Sequence, residues 1–253
     1  MKKLAFLAAA VLSTTSYSST WEQVKKNKVI RVATDATYPP MEFEGPDGKV
    51  TGFDIQMVEA LAQEMGVKAE IKIMAWDGIL AGLDSGRYDI IVSSMSITDD
   101  RKKAADFVQY MQMSQVFVSK ASKLIKSETE LAGLRVAVQA DTTSHELVKK
   151  LVGDKKIAIK DIKAFRGATE AFGALKAGQA DVIVIDEPVG LYYAKKDSKN
   201  FVISGKASSP EPIGIAVKKS DGTLTAELSK ALESIRKKGT FKKISQDWFG
   251  TEI

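Results

Sequence analysis

Apolar positions along the chain follow two rhythms that take turns. Val29 to Thr34 and Lys68 to Met74 alternate as strands do. Tyr88 to Val92, Val116 to Ser119, Leu134 to Gln139, Ile157 to Ala164, Asp181 to Ile185 and Ile213 to Val217 also read as strands, several of them apolar enough to be buried on both faces. Between these runs, Phe53, Met57, Val58, Leu61, Ala62 and Met65 recur at helical spacing, with Gly66 as a stop. Further helices are predicted over Trp76 to Ser85, after Ser144 through Leu151, over Ala168 to Ala177, over Pro188 to Lys195 with proline in the first turn, and over Thr223 to Lys238. Trp21 to Lys28 reads as a short amphipathic lead-in and a short basic helix comes after Arg101. Asp47-Gly48 marks a hairpin turn after the proline-rich loop that begins at Ala36. Strands alternating with helices predict an α/β protein with largely parallel sheets.

One unit occurs twice. Leu83 to Val92 reads L-D-S-G-R-Y-D-I-I-V and Leu175 to Val184 reads L-K-A-G-Q-A-D-V-I-V, 92 residues apart. The copies share a helix end, a glycine turn, an aspartate and a buried strand. Their continuations differ: the first runs into Ser93, Ser94, Ser96, Thr98 and Arg101, the second into Asp186 and Glu187. Ligands of open α/β sheets sit beyond the carboxyl ends of strands, so two such ends facing each other make a cleft between two lobes.

The first of these ends has its own chemistry. Serine and threonine hydroxyls and close-approach backbone precede Arg101, whose planar fork of donors matches a carboxylate. Such a cup fits the two charged ends of an amino acid. The plainer reading is a strand-to-helix turn with Thr98 as N-cap, Asp99 and Asp100 facing the helix dipole and Arg101 in solvent.

Composition narrows the class. At 253 residues and 44% hydrophobic content the chain is long enough for one large or two small globular domains. Residues 1–18 carry Lys2 and Lys3, the apolar run Leu4 to Leu12 and a small polar segment to Ser18, the pattern of a cleaved secretory signal peptide and too short a run to span a bilayer. There is no cysteine, so neither a disulfide framework nor a lipid-attachment thiol is expected, and the mature chain reads as an exported, soluble monomer. The formal charge of +5 includes two lysines of the leader, and the remaining basic residues are scattered among acids, which gives a nucleic-acid partner little support. A single histidine, His145, and no cysteine leave no basis for a transition-metal site, and no cofactor is expected.

Five ordered motifs carry a resemblance: T-D-A-T-Y-P-P-M-E-F at Thr34 to Phe43, G-F-D-I at Gly52 to Ile55, S-S-M-S-I-T-D-D-R at Ser93 to Arg101, V-A-V-Q-A-D-T-T at Val136 to Thr143 and D-E-P at Asp186 to Pro188. Together they resemble the periplasmic solute-binding proteins of polar amino-acid ABC transporters, the lysine/arginine/ornithine, histidine and glutamine binders, over essentially the whole mature chain. The resemblance implies a two-lobed periplasmic-binding-protein fold of type II with two hinge strands: residues 20–113 and 209–253 in lobe 1, residues 114–208 in lobe 2. It implies that Arg101 grips the ligand α-carboxylate with backbone N–H groups of Ser96 and Thr143. The α-ammonium would sit among the Ser94 carbonyl, the Ser96 hydroxyl and Asp186 from the opposite lobe. Tyr38 and Trp76 match the aromatic walls around the ligand side chain, Asp35 the carboxylate at its tip, and Gln139 a polar contact at the floor. Core packing is the alternative for Tyr38 and Trp76, and a strand-end cap for Asp35. Asp141 departs from the glycine usual before the two threonines, which puts the donor geometry of Thr142 and Thr143 in question.

The implied partners are a free L-amino acid, arginine or lysine ahead of histidine, ornithine and glutamine, and the membrane permease of an ABC importer. A binder of this kind is not an enzyme. The competing expectation is an enzyme on the same scaffold, a cyclohexadienyl or arogenate dehydratase, for which Glu187 and Glu42 are the candidate general acids. A receptor's sensor domain is a third, disfavoured by the absence of any apolar run long enough to cross a membrane after the leader.

Overall fold

The computed structural model describes residues 19–252, and the leader expected over residues 1–18 lies outside them. The chain begins with α1 (Thr20–Asn27), capped by Ser19, whose hydroxyl accepts from the Glu22 N–H. Next come β1 (Val29–Thr34) and a small antiparallel sheet of β2 (Thr37–Tyr38), β3 (Glu42–Glu44) and β4 (Val50–Thr51), turned at Asp47-Gly48 as expected. Then come α2 (Phe53–Glu64), β5 (Lys68–Ile73), α3 (Ile79–Asp84), β6 (Ile90–Ile91), α4 (Asp99–Ala104) and β7 (Ala105–Met113). After a single residue, Ser114, the chain continues through β8 (Gln115–Ser119), a short 3-10 turn, β9 (Arg135–Gln139), α5 (Thr143–Gly153), β10 (Asp161–Phe165), α6 (Ala168–Lys176), β11 (Val182–Asp186), α7 (Glu187–Lys196) and β12 (Val202–Lys206). It returns with β13 (Glu211–Lys218), α8 (Gly222–Lys237) and α9 (Thr240–Phe249).

The strands form two five-stranded sheets, ordered β5-β1-β6-β13-β7 and β10-β9-β11-β8-β12, one in each lobe. Both are mixed, which corrects the expectation of largely parallel sheets. In the first, β1 pairs in parallel with β5 and β6, while β13 is antiparallel to β6 and β7. In the second, β9 pairs in parallel with β10 and β11, while β8 is antiparallel to β11 and β12. Connectivity is the cause. Each lobe's fourth strand arrives from the other lobe, β8 from β7 and β13 from β12, so it enters at the end where its neighbours leave. The sequence pattern assigns no element to β7, β12 or α9, and it opens α3 three residues early: Trp76 lies before the helix, which starts behind Gly78 in the left-handed region at φ 80°.

The duplicated unit is repeated in structure down to single bonds. Gly86 and Gly178 sit at φ 73° and 72° and close the ends of α3 and α6. Asp89 accepts from the backbone N–H of Arg31 at 2.8 Å and from its guanidinium, and Asp181 does the same for Arg135, with the backbone contact at 2.9 Å. These bidentate pairs tie the start of each lobe's first parallel strand to its neighbour and leave the carboxyl ends, at the other edge of the sheet, to the cleft. Burial of Phe53, Met57, Val58 and Leu61 holds α2 on the first sheet, each worth about 1.5–3 kcal/mol. The helix can begin where it does because Gly52 lies at φ 135°, with no side chain to meet the Met41 carbonyl oxygen, which a Cβ would approach to 2.2 Å.

Candidate functional site

The carboxyl ends of β1, β6, β9 and β11 deliver Asp35, Ser93 with Ser94, Gln139 and Asp186 to one cavity between the lobes. All nine residues singled out in the sequence line it: Asp35, Tyr38, Trp76, Ser94, Ser96 and Arg101 from the first lobe, Gln139, Thr143 and Asp186 from the second. Glu42, Ser93, Thr142 and Ser144 line it too. Glu187 does not, and its backbone N–H is bonded to the Ser114 carbonyl. His145 is half-buried beside the site, its Nδ1 accepting from the Asp141 N–H.

The lobes are joined by direct polar contacts across this cavity. Tyr38 Oη donates to Asp186 Oδ2 at 2.9 Å, and Gln139 Nε2 donates to Asp35 Oδ2 at 2.6 Å. Trp76 Nε1 donates to the Asp141 carbonyl at 3.0 Å, and the Ser96 and Thr143 hydroxyls meet at 3.2 Å. Arg101 spans the gap: Nη1 donates to the Ser96 carbonyl at 3.0 Å and Nη2 to the Asp141 carbonyl at 3.2 Å, while the guanidinium lies 5.2 Å over the Trp76 ring. The two expected walls therefore also carry polar duties, Tyr38 toward Asp186 and Trp76 toward the second lobe.

Arg101 sits in α4, capped by Thr98 as the plainer reading of that turn expects, yet its side chain reaches the cavity. The second lobe's lip is built by the A-D-T-T turn. Asp141 takes the left-handed region at φ 57°, a conformation that aspartate tolerates better than most residues. Replacing the usual glycine therefore leaves the turn intact, with Thr142 as N-cap accepting from the His145 N–H and the Asp141 carbonyl free for Trp76 and Arg101. One further side chain braces this lip from just past β7 without lining the cavity: Gln115 Nε2 donates to the Thr143 hydroxyl at 2.7 Å. Its position two residues past β7 carried no sequence signal.

The electrostatics are lopsided. Asp35, Glu42 and Asp186 are buried carboxyl groups, and Arg101 is the one cationic side chain among the described residues lining the cavity. Burial pushes Asp186 up to about 7, an effect opposed by the Tyr38 hydrogen bond, and raises Asp35 against the bonds from Gln139 and Thr37. Burial lowers Arg101, with Asp186 pulling the other way. Among the described residues no cluster of three or more His, Cys, Asp or Glu side chains is placed to hold a metal ion. A cleft with a guanidinium and with carboxylates from both lobes is suited to a small charged molecule.

Fold and cleft define a two-lobed solute-binding protein. The family of bacterial extracellular solute-binding proteins, family 3, matches residues 30–251, and the chain belongs to it. It is 32% identical over 234 residues to the L-cystine-binding protein TcyJ of Escherichia coli strain K12, covering 91% of this chain and 86% of that one. Among solved structures it resembles an ancestral arginine-binding protein bound to arginine, with 41% identity, a TM-score of 0.83 and coverage of 88% of this chain and 98% of that one. It also resembles the ancestral amino acid-binding protein AncCDT-1, a precursor of cyclohexadienyl dehydratase, with 38% identity, a TM-score of 0.85 and coverage of 91% and 100%.

Proposed function

We propose that this protein is the substrate-binding component of an amino-acid ABC importer and that it takes a basic L-amino acid, arginine or lysine. The observation that carries the reading is the charge inventory of the cleft. A zwitterion's carboxylate pairs with Arg101 and its ammonium with Asp186 and the Ser94 and Ser96 oxygens, which leaves Asp35 to be matched by a second positive charge on the ligand. Relatives and neighbours divide over substrate, and the same inventory separates them. Cystine brings a second ammonium that Asp35 could meet but also a second carboxylate, for which the cavity lining holds no second cation among the described residues, and glutamine leaves Asp35 with a neutral partner.

The residues fit a carrier that closes on its ligand better than a dehydratase. Glu187 lies off the cavity and Glu42 is committed to the hydroxyls of Ser93 and Ser94, so neither is aimed at a substrate as a general acid. Residues 20–113 with 209–253 form one lobe and residues 114–208 the other. The mature chain works as an extracytoplasmic monomer delivered by its leader; no helix among the described residues is long and apolar enough to cross a membrane. Titration calorimetry with L-arginine, L-lysine, L-glutamine and L-cystine tests the reading. Tight binding of a basic amino acid is expected, and a preference for cystine overturns it.

A further inference from the structure

Beneath the ligand-facing serines lies a second pair of acids that the transport reading does not use. Glu42, from β3, is 1% exposed and Asp54, from the first turn of α2, is fully buried. The two carboxyl groups share the Ser94 hydroxyl, which lies 3.5 Å from Glu42 Oε2 and 3.1 Å from Asp54 Oδ2. Around them the bonds run to residues on three other segments. Glu42 Oε1 accepts from the Ser93 hydroxyl at 2.8 Å, and that hydroxyl accepts from the backbone N–H of Asp35 at 3.0 Å. Asp54 accepts from the Ser94 N–H at 2.7 Å and, on both oxygens, from the Tyr110 hydroxyl at 2.8 and 2.9 Å. Ser94 itself is held in the left-handed region at φ 48°, a conformation that costs a serine energy and so needs outside support.

We propose that Glu42 and Asp54 are a positioning pair that holds one proton between them, and that this pair sets Ser93, Ser94 and the backbone of Asp35 in the geometry the ligand meets. Two buried carboxylates on one hydroxyl repel each other, and no lysine or arginine among the described residues donates to either. A single shared proton removes the repulsion. The titratable groups that face the pair are Tyr110 from β7, Asp35 at the end of β1 and Tyr38 from β2, and none of them brings a positive charge. Burial, then the neighbouring Asp54 charge, push Glu42 well up from the usual carboxylate range, and burial pushes Asp54 up to about 6. The pair thus links the two ends of the ligand site: Ser94 belongs to the ammonium end and Asp35 to the side-chain end. The role rests on the amino-acid-binding reading only for its consequence on affinity; the proton does not depend on it.

Two readouts on the full-length mature protein keep these apart. Urea unfolding from pH 5 to 9 without added amino acid reads the proton. The folded state holds it where the unfolded chain does not, so wild-type stability falls with rising pH by up to about tenfold in the unfolding constant per pH unit more steeply than that of Glu42→Gln, whose amide replaces the protonated acid permanently. Equal slopes overturn the shared proton. Calorimetry with L-arginine at pH 7 reads the positioning. Glu42→Ala weakens binding by at least about tenfold and Glu42→Gln recovers most of the loss. Unchanged affinity in Glu42→Ala, or no recovery by glutamine, overturns the positioning role. Wild-type protein that ignores L-arginine strikes the basic-amino-acid reading and leaves the slope comparison to decide the pair.

Discussion

Tyr38 and Asp186 meet across the cleft: the phenol of one lobe donates to the buried carboxyl of the other at 2.9 Å. The bond uses one oxygen of Asp186, and in the proposed function the other meets the ligand ammonium. Because burial holds Asp186 at about 7 despite this donor, its charge is sensitive to ordinary changes of pH.

That sensitivity has a sign. Without ligand, the folded state binds the Asp186 proton more tightly than the unfolded chain does, so this group's contribution to stability falls as pH rises from about 4 to about 7. A ligand ammonium reverses the preference by favouring the carboxylate. Affinity for an amino acid should therefore weaken as pH is lowered from 8 to 5, with release of a proton on binding near neutrality. Calorimetry in buffers of different ionisation enthalpy checks both. Tyr38→Phe removes the donor that favours the charged form, and should cost up to about tenfold in affinity at pH 7.

Asp35 is braced on the same oxygen by Gln139 at 2.6 Å and Thr37 at 2.8 Å. Asp35→Asn keeps the shape and removes the charge. It should weaken L-arginine by at least about tenfold while changing L-glutamine by less than about threefold. Equal losses for the two ligands would remove Asp35 from the choice of side chain.

Arg101 is held by two backbone carbonyls, one in each lobe, and Arg101→Ala should abolish binding of every amino acid. Circular dichroism controls for folding. Retained affinity would place the carboxylate elsewhere.

The paired clamps far from the cleft predict stability without function. Asp181 is lowered to about 2 by its bonds to Arg135, so its contribution is present above about 4 and is lost as pH falls through about 2. Asp181→Ala frees the Arg135 N–H and should cost about 1–3 kcal/mol in urea unfolding, with amino-acid affinity unchanged.

Much of the site was legible because its residues sit where strands end, and strand ends close a readable apolar run. Asp35, Ser94, Gln139 and Asp186 all terminate such runs, and the repeated unit announced that two ends existed. What escaped was what depends on pairing at a distance. The E-F-E stretch at Glu42 reads as one arm of a hairpin, and nothing in its spacing shows that it lies under Ser93, 51 residues on. Strand β7 escaped because its burial is irregular and its ladder with β13 shifts register between Ile213 and Gly214, which breaks the period of two. Edge strand β12 is short, contains Gly205 and carries a similar shift. Helix α9 did leave a signal: Phe241, Ile244 and Trp248 share a face between Gly239 and Gly250, both at positive φ.

A thermal-shift screen of the twenty amino acids and L-cystine tests the central claim most directly, since a ligand that binds only the folded protein raises its melting temperature. Arginine or lysine should give the largest rise, with glutamine smaller and cystine near zero. No shift with any of them would contradict the account of the cleft.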